Sequence, residues 1–418
     1  MRNPLRHWLP PLDRRVWLLS FGRLLSQVGI GFVLFYAPIF FVNEVGLTAT
    51  QVGIGLGSEA LSGLLGRFMG GSMADSAQWG RRPTILLSAL ISAGADGIFL
   101  VSNNFGVFVL GNLLMGLGVG LYWPATEAVV ADITQPADRS EAFALVRLAD
   151  SLGLGVGVVL GGLLLATTQQ YRLLFAVDGL SFLLFFAIVY WAIAETRPEQ
   201  SRDRTFWQGW GVARQDTLLL TYVGVNILFT GYISQVQSTL PVYLNRWVPV
   251  GAGNGLPEAT LSVLFTGHVA LTALCQLPIA RWLKPLPPPR ALMISATLWG
   301  LSFTLVWATG QGLFVSTTVG AALALALMAI AITAYTPIAS AFVVMLAPPA
   351  LRGVYLSVNS MCWALGYFVG PPVGGWALDQ SRPVAHRFWL VAALSIVPLL
   401  AILAYLDSQL KAHPNRTL

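Results

Sequence analysis

Long apolar runs broken by short polar interruptions make up almost the whole chain. A bilayer core takes about 20 apolar residues per helix, more if the helix tilts. On that measure the pattern predicts twelve membrane helices, at 16–41, 50–73, 84–102, 105–131, 142–166, 172–194, 217–243, 258–282, 291–309, 312–344, 353–377 and 387–407. Six precede the polar stretch Glu195–Asp216 and six follow it, and this stretch is the only long charged interruption. The expected architecture is therefore an all-α integral membrane protein with two pseudo-symmetric six-helix bundles, residues 1–196 and 216–418, joined by a cytoplasmic linker over 197–215.

The two bundles share a sequence. Tyr122–Gly162 aligns without a gap on Tyr335–Gly375 at a constant offset of 213, with 13 of 41 pairs identical. The identical pairs include Tyr122/Tyr335, Pro124/Pro337, Pro136/Pro349, Arg139/Arg352, Gly153/Gly366, Gly157/Gly370 and Gly161/Gly374. A half-length repeat in a chain this apolar is the usual plan of a secondary transporter, with its pathway between the halves.

Composition narrows the class further. Apolar residues are 56% and charged residues only 10%, against roughly a quarter charged in soluble proteins. The net charge of +6 does not suggest nucleic acid, because the cations sit in short loops and form no basic face. Placing both termini in the cytoplasm assigns 17 Lys and Arg to cytoplasmic ends and loops. Only four, Arg172, Arg246, Arg382 and Arg387, then lie outside, and Arg23, Arg67 and Arg147 lie within spans. That bias fits the positive-inside rule and predicts a multi-pass protein of the cell inner (plasma) membrane. The basic start (Arg2, Arg6, Arg14, Arg15) leads into an apolar run far longer than the about 7–15 residues of a signal-peptide core, so no cleavable signal is expected. Cys275 and Cys362 sit in apolar runs, and no nucleophile–base or metal constellation is visible, so neither an enzyme nor a cofactor is expected.

Between the second and third spans stands a short turn with Gly71, Asp75, Gly80, Arg81 and Arg82. One acid and two arginines on such a turn can pair with neighbouring helix ends. In order and type these residues resemble the signature of the major facilitator superfamily, Gly-x-x-x-Asp-(Arg/Lys)-x-Gly-Arg-(Arg/Lys). Four residues, not two, separate Asp75 from Gly80, and no cation directly follows the acid. With twelve spans, a 6+6 repeat and a charged linker, the resemblance covers essentially the whole chain. It implies a cytoplasmic gate formed by this loop, in which Asp132 and Arg139 resemble the partner charges, with Glu127 one turn before Asp132 and Arg352 the repeat counterpart of Arg139. Around Pro287–Pro289 only Arg281, Lys284 and Arg290 survive of a second copy of the loop.

Span five reads Gly153-x-x-x-Gly157-Val158-x-x-Gly161-Gly162, and span eleven Gly366-x-x-x-Gly370-Pro371-x-x-Gly374-Gly375. Glycines four apart share a helix face and let another helix approach closely, and Pro371 should kink its helix. The span-five pattern resembles the motif of proton-driven exporters, with Val158 in place of its proline. Ordinary helix packing explains the glycines equally well. In span four, Asn112 stands where the family commonly has an arginine, four residues before Gly116.

Ionisable residues inside a span are expensive and functional by default. They are Arg23, Glu59, Arg67, Asp96, Glu127, Arg147, Asp150, Asp178 and His268, all but His268 in the first half. Arg23 lies about 12 Å along its helix, too deep to snorkel. Glu59 suits either proton coupling or a fixed ion pair with Arg23 or another cation. Arg147 and Asp150, three apart, either act in coupling or neutralise each other, while Asp96, Asp178 and His268 suit structural roles. The expected pathway residues are Arg23, Gln27, Glu59 and Asp150, with Asn226 and Gln235 from the second half. The expected function is alternating-access, proton-coupled efflux of hydrophobic or amphipathic small molecules, resembling the drug:proton antiporter branch. Import or facilitated passage of a sugar, organic acid or other metabolite is the alternative, and a non-transporting membrane sensor a third. The expected partners are a small-molecule substrate, protons and the lipid bilayer, the protein working as a monomer.

Overall fold

The computed structural model describes residues 12–34, 36–47, 49–197, 208–251 and 253–412. Arg2, Arg6 and the linker residues 198–207 lie outside this set. By packing, the chain divides into two units, Met1–Gln215 with Ala347–Met361, and Asp216–Leu346 with Cys362–Leu418.

The first unit is built from α1 (Arg14–Leu34), α2 (Tyr36–Asn43), α3 (Ala49–Asp75), α4 (Arg81–Val101), α5 (Phe105–Asp132), α6 (Arg139–Thr168), α7 (Arg172–Ala192) and α8 (Gln208–Gln215). The second contains α9 (Thr217–Gln237), α10 (Thr239–Arg246), a hairpin of β1 (Pro249–Val250) and β2 (Gly253–Asn254), then α11 (Glu258–Leu283), α12 (Pro288–Gly310), α13 (Thr317–Leu346), most of α14 (Arg352–Leu378), α15 (Arg382–Leu394) and α16 (Ile396–Ala412). Among the described residues ten helical stretches are long and apolar enough to cross a membrane. α3 and α14 match them in length, at 27 residues each. The seventh and twelfth predicted spans are each broken into two helices, α9–α10 and α15–α16.

Helix starts follow local chemistry. Asn104 accepts from the Val107 N–H to cap α5, and Asp216 accepts from Leu218 and Leu219 to cap α9. A 3₁₀ turn at Pro136–Asp138 leads into α6 at Arg139, and one at Pro349–Leu351 leads into α14 at Arg352. The 213-residue repeat therefore holds in local structure at these corners.

Small residues set the closest helix contacts. Gly153, Gly157 and Gly161 line the face of α6 on α1, where a Cβ at Gly157 would lie 2.0 Å from the Val28 carbonyl oxygen. Gly366, Gly370 and Gly374 line the face of α14 on α9, where a Cβ at Gly366 would lie 2.2 Å from Thr230 Oγ1. Pro371 lies within α14, followed by Pro372. Aromatic side chains fill one core region of the first unit, with Phe40, Phe41, Phe99, Phe108 and Phe175 packed together.

Candidate functional site

Two charge clusters stand in the first unit. In the interior, α1 supplies Arg23, which is 0% exposed. Its guanidinium grips Asp150 of α6 at both oxygens, Nε to Oδ1 at 3.0 Å and Nη2 to Oδ2 at 2.6 Å. Nη1 reaches Thr126 Oγ1 of α5 at 3.4 Å. The planar fork suits a bidentate carboxylate, which is where arginine gains over lysine. Asp150 Oδ2 also lies 3.7 Å from Arg147 Nη1, and Arg147 makes an ion pair with Glu127. Trp123 stands between the two arginines, its ring 4.9 Å from Arg23 Cζ and 4.8 Å from Arg147 Cζ. The result is an alternating chain, Arg23–Asp150–Arg147–Glu127, with no net charge.

This arrangement revises one expectation and narrows another. Glu127, grouped by sequence with the gate, pairs with Arg147 and belongs to the interior chain. Of the two cations open to Glu59, Arg23 holds Asp150 instead, and the cation in the field of Glu59 is Arg67. Gln27 lies close by, its Cβ against Gly153, and it lines a small cavity with Ser26 and Tyr122.

The second cluster surrounds the loop after α3. The Asp75 carboxylate accepts from two backbone N–H groups at the start of α14, Gly353 to Oδ1 at 2.9 Å and Val354 to Oδ2 at 2.7 Å. Unsatisfied N–H groups and the positive end of the helix dipole meet a negative charge there. Arg81, 0% exposed, donates to Asp75 Oδ1 at 2.8 Å and to the Pro349 carbonyl at 3.2 Å, and makes an ion pair with Asp132. Asp132 in turn accepts from Arg352 Nη1 at 2.6 Å and from Thr196 at 3.1 Å. Arg139 lies in the field of both Asp132 and Arg352.

Gly71 makes this closeness possible, since a Cβ there would lie 2.1 Å from Ser357 Oγ and 2.5 Å from the Gly353 carbonyl oxygen. Gly80 has φ +100°, the left-handed region that glycine tolerates. The backbone N–H groups of Arg81 and Arg82 donate to Glu195 at 3.0 and 3.1 Å. Arg82 itself turns away from Asp75, donates to the Tyr190 carbonyl at 2.6 Å and stacks on the Tyr190 ring. Thr126, Trp123, Glu195 and Thr196 are not legible in the sequence, because none belongs to a motif and Trp123 and Thr126 face different residues, Thr336 and Ala339, in the second copy of the repeat.

In the second unit, Asn226 accepts from the Tyr335 hydroxyl, and Gln235 donates to the Gly370 carbonyl at 2.6 Å. His268 is buried against the Leu325 carbonyl at 2.9 Å. Among the described residues no group of three or more His, Cys, Asp or Glu could hold a metal ion.

The family profile described as Major Facilitator Superfamily matches residues 19–247 and 247–417. An uncharacterized MFS-type transporter, YqjV, of Bacillus subtilis (strain 168) is 25% identical over 420 residues, covering 96% of this chain and 95% of the relative. Multidrug resistance protein MdtH of Photorhabdus laumondii is 28% identical over 395 residues, covering 92% of this chain and 93% of its own. Among solved structures, the human organic anion transporter MFSD10 (TETRAN) is similar with a TM-score of 0.74 at 20% identity, covering 94% of this chain and all (100%) of the other. The transporter FucP in its outward conformation is similar with a TM-score of 0.72 at 16% identity, covering 94% of this chain and 98% of the other. At these identities the structures speak for the fold alone.

Proposed function

This chain belongs to the Major Facilitator Superfamily and is a multi-pass membrane transporter, not an enzyme, and from that premise we propose that it exports hydrophobic or amphipathic small molecules in exchange for protons. The observation that carries the reading is the neutral chain Arg23–Asp150–Arg147–Glu127 in the interior of the first unit. A proton taken up on an Asp150 oxygen ends the bidentate pair with Arg23 and changes the charge of the chain from zero to +1. An uncompensated charge in that setting is costly, so protonation biases the protein toward a second conformation, which is what coupling requires. The cluster around Asp75, Arg81 and Asp132 acts as the cytoplasmic gate of an alternating-access cycle.

The names of the MdtH relatives support efflux. The protein works as a monomer in the cell inner membrane with both termini in the cytoplasm. Proteoliposomes offered a panel of dyes and metabolites test this. Dye movement driven by an imposed pH gradient, and lost in Asp150→Asn, is the expected result; dye movement indifferent to the gradient, or movement of metabolites alone, overturns it.

A further inference from the structure

A second set of buried charges in the first unit plays no part in the Arg23 chain. Asp96 of α4 is 0% exposed and Asp178 of α7 is 2% exposed. The two helices touch at this level, since a Cβ at Gly179, beside Asp178, would lie 3.2 Å from Asp96 Cβ. Both carboxyl oxygens of Asp96 are buried without a hydrogen-bond partner among the described residues. Asp178 has the Ser181 hydroxyl at 3.4 Å and packs on α1, where a Cβ at Gly29 would lie 2.5 Å from Asp178 Oδ1. Asp96 lies in the field of Asp178, and Glu59 acts on both.

The cations on the surrounding helices are engaged elsewhere. On α1, Arg23 holds Asp150. On α3, Arg67 donates to Ser360 at 2.8 Å and lies in the field of Glu59. On α7, Arg172 donates to the carbonyls of Leu100 and Ser102 and to Asn103. On α5, the residue inside this region is the neutral Asn112, which donates to the Phe108 carbonyl at 2.8 Å. An ionised carboxylate with no counter-charge pays a desolvation penalty of several kcal/mol, and a second one beside it adds repulsion.

A cavity of about 40 Å³ lies one helical turn from Asp96, lined by Ser88 and Ser92 of α4, Ser26 and Gln27 of α1, and Tyr122 and Trp123 of α5, with the apolar Ile30, Val119 and Phe182 closing it. It exceeds the about 10–15 Å³ that a water molecule needs. Tyr122 and Trp123 lie 5.2 and 4.9 Å from Arg23 Cζ, so the cavity borders the Arg23 chain, and its Ser92 and Phe182 are each four residues along their helices from Asp96 and Asp178.

We propose that Asp96 and Asp178 together form a proton-binding site, separate from Asp150 and reached through this cavity. The proton adds to one carboxylate oxygen, turning an acceptor into an O–H donor, and leaves to water in the cavity. That the site takes part in transport rests on the proton-coupled reading above; the existence of the site does not.

Infrared difference spectra of the full-length reconstituted protein, titrated stepwise in pH, test the site through the C=O stretch of protonated carboxyl groups. A titrating band that is lost in Asp96→Asn and Asp178→Asn, and kept in Asp150→Asn, is the expected result. A spectrum that neither asparagine variant changes overturns the proposal. Asparagine imitates the neutral acid, so both variants are expected to fold; should one fail, Asp96→Glu, which keeps the titrating group and moves it, must shift the band, and an unmoved band is equally fatal. If the band behaves as expected while wild-type transport ignores pH, the coupling reading falls and the site stands. If transport follows the proton gradient and the band is missing, the site falls and coupling through Asp150 stands.

Discussion

Arg23 and Asp150, 127 positions apart in sequence, meet inside the first unit through two hydrogen bonds of 3.0 and 2.6 Å. Neither residue can be read alone. Arg23 is the cation of an acid that also lies 3.7 Å from Arg147, so a change at Asp150 reaches Glu127 through one further ion pair.

Removing one partner of a buried pair strands the other, at a cost of about 3–5 kcal/mol. Asp150→Asn and Arg23→Gln should each lose stability on that scale, and the double variant should lose less than the sum of the two. Thermal or denaturant unfolding in detergent reads the cycle; simple additivity would mean the pair does not couple.

The loop signature treats Arg81 and Arg82 alike, but the structure separates them. Arg81 is fully buried between Asp75, Asp132 and the Pro349 carbonyl, whereas Arg82 donates to the Tyr190 carbonyl from a more exposed position. Arg81→Ala should cost about 3–5 kcal/mol by stranding buried acids, and Arg82→Ala about 0–1 kcal/mol, as surface interactions do. Equal losses in the two variants would contradict this placement.

Asp75 holds the first turn of α14 by accepting from Gly353 and Val354. Asp75→Asn keeps one acceptor oxygen and loses the charge, so the cap weakens by about 1 kcal/mol, the usual worth of a helix cap. Hydrogen exchange followed by mass spectrometry should show faster exchange in the peptide around residues 352–356. Unchanged protection there would remove Asp75 from the capping role.

Glycines of one helix should answer differently to the same substitution. A Cβ at Gly157 meets the Val28 carbonyl oxygen at 2.0 Å, while one at Gly155 meets nothing within 4 Å. Gly157→Ala should cost about 1–3 kcal/mol by overpacking, and Gly155→Ala should be neutral or slightly stabilising, since alanine favours the helix. Unfolding midpoints of the two variants check this, and a loss at Gly155 matching that at Gly157 would refute the close α1–α6 contact.

Much of the cluster around the loop after α3 was legible because it is local. Gly71, Asp75, Gly80 and Arg81 lie within eleven residues of chain, and sequence spacing captures that. Glu127 and Asp132 look like neighbours in the sequence and are not. Five residues carry a helix about 140° past one full turn, so Asp132 meets Arg81 and Arg352 while Glu127 meets Arg147. For the same reason the adjacent Arg81 and Arg82 part company.

Hydropathy, length and the 213-residue repeat, read from the sequence by themselves, determined the membrane helices, and the Gly71–Arg82 loop carried the resemblance to the family. These properties depend on each segment's own composition and on its copy elsewhere in the chain. Tertiary structure alone decided which faces meet. It gave Arg23 to Asp150 and left Glu59 with Arg67. It also set Asp96 against α7 beside Asp178, where the sequence held two unrelated acids. A helix's periodicity says which residues share a face, but the partner of that face is chosen by packing between helices far apart in the chain, and only there does a buried charge find, or fail to find, its counter-charge.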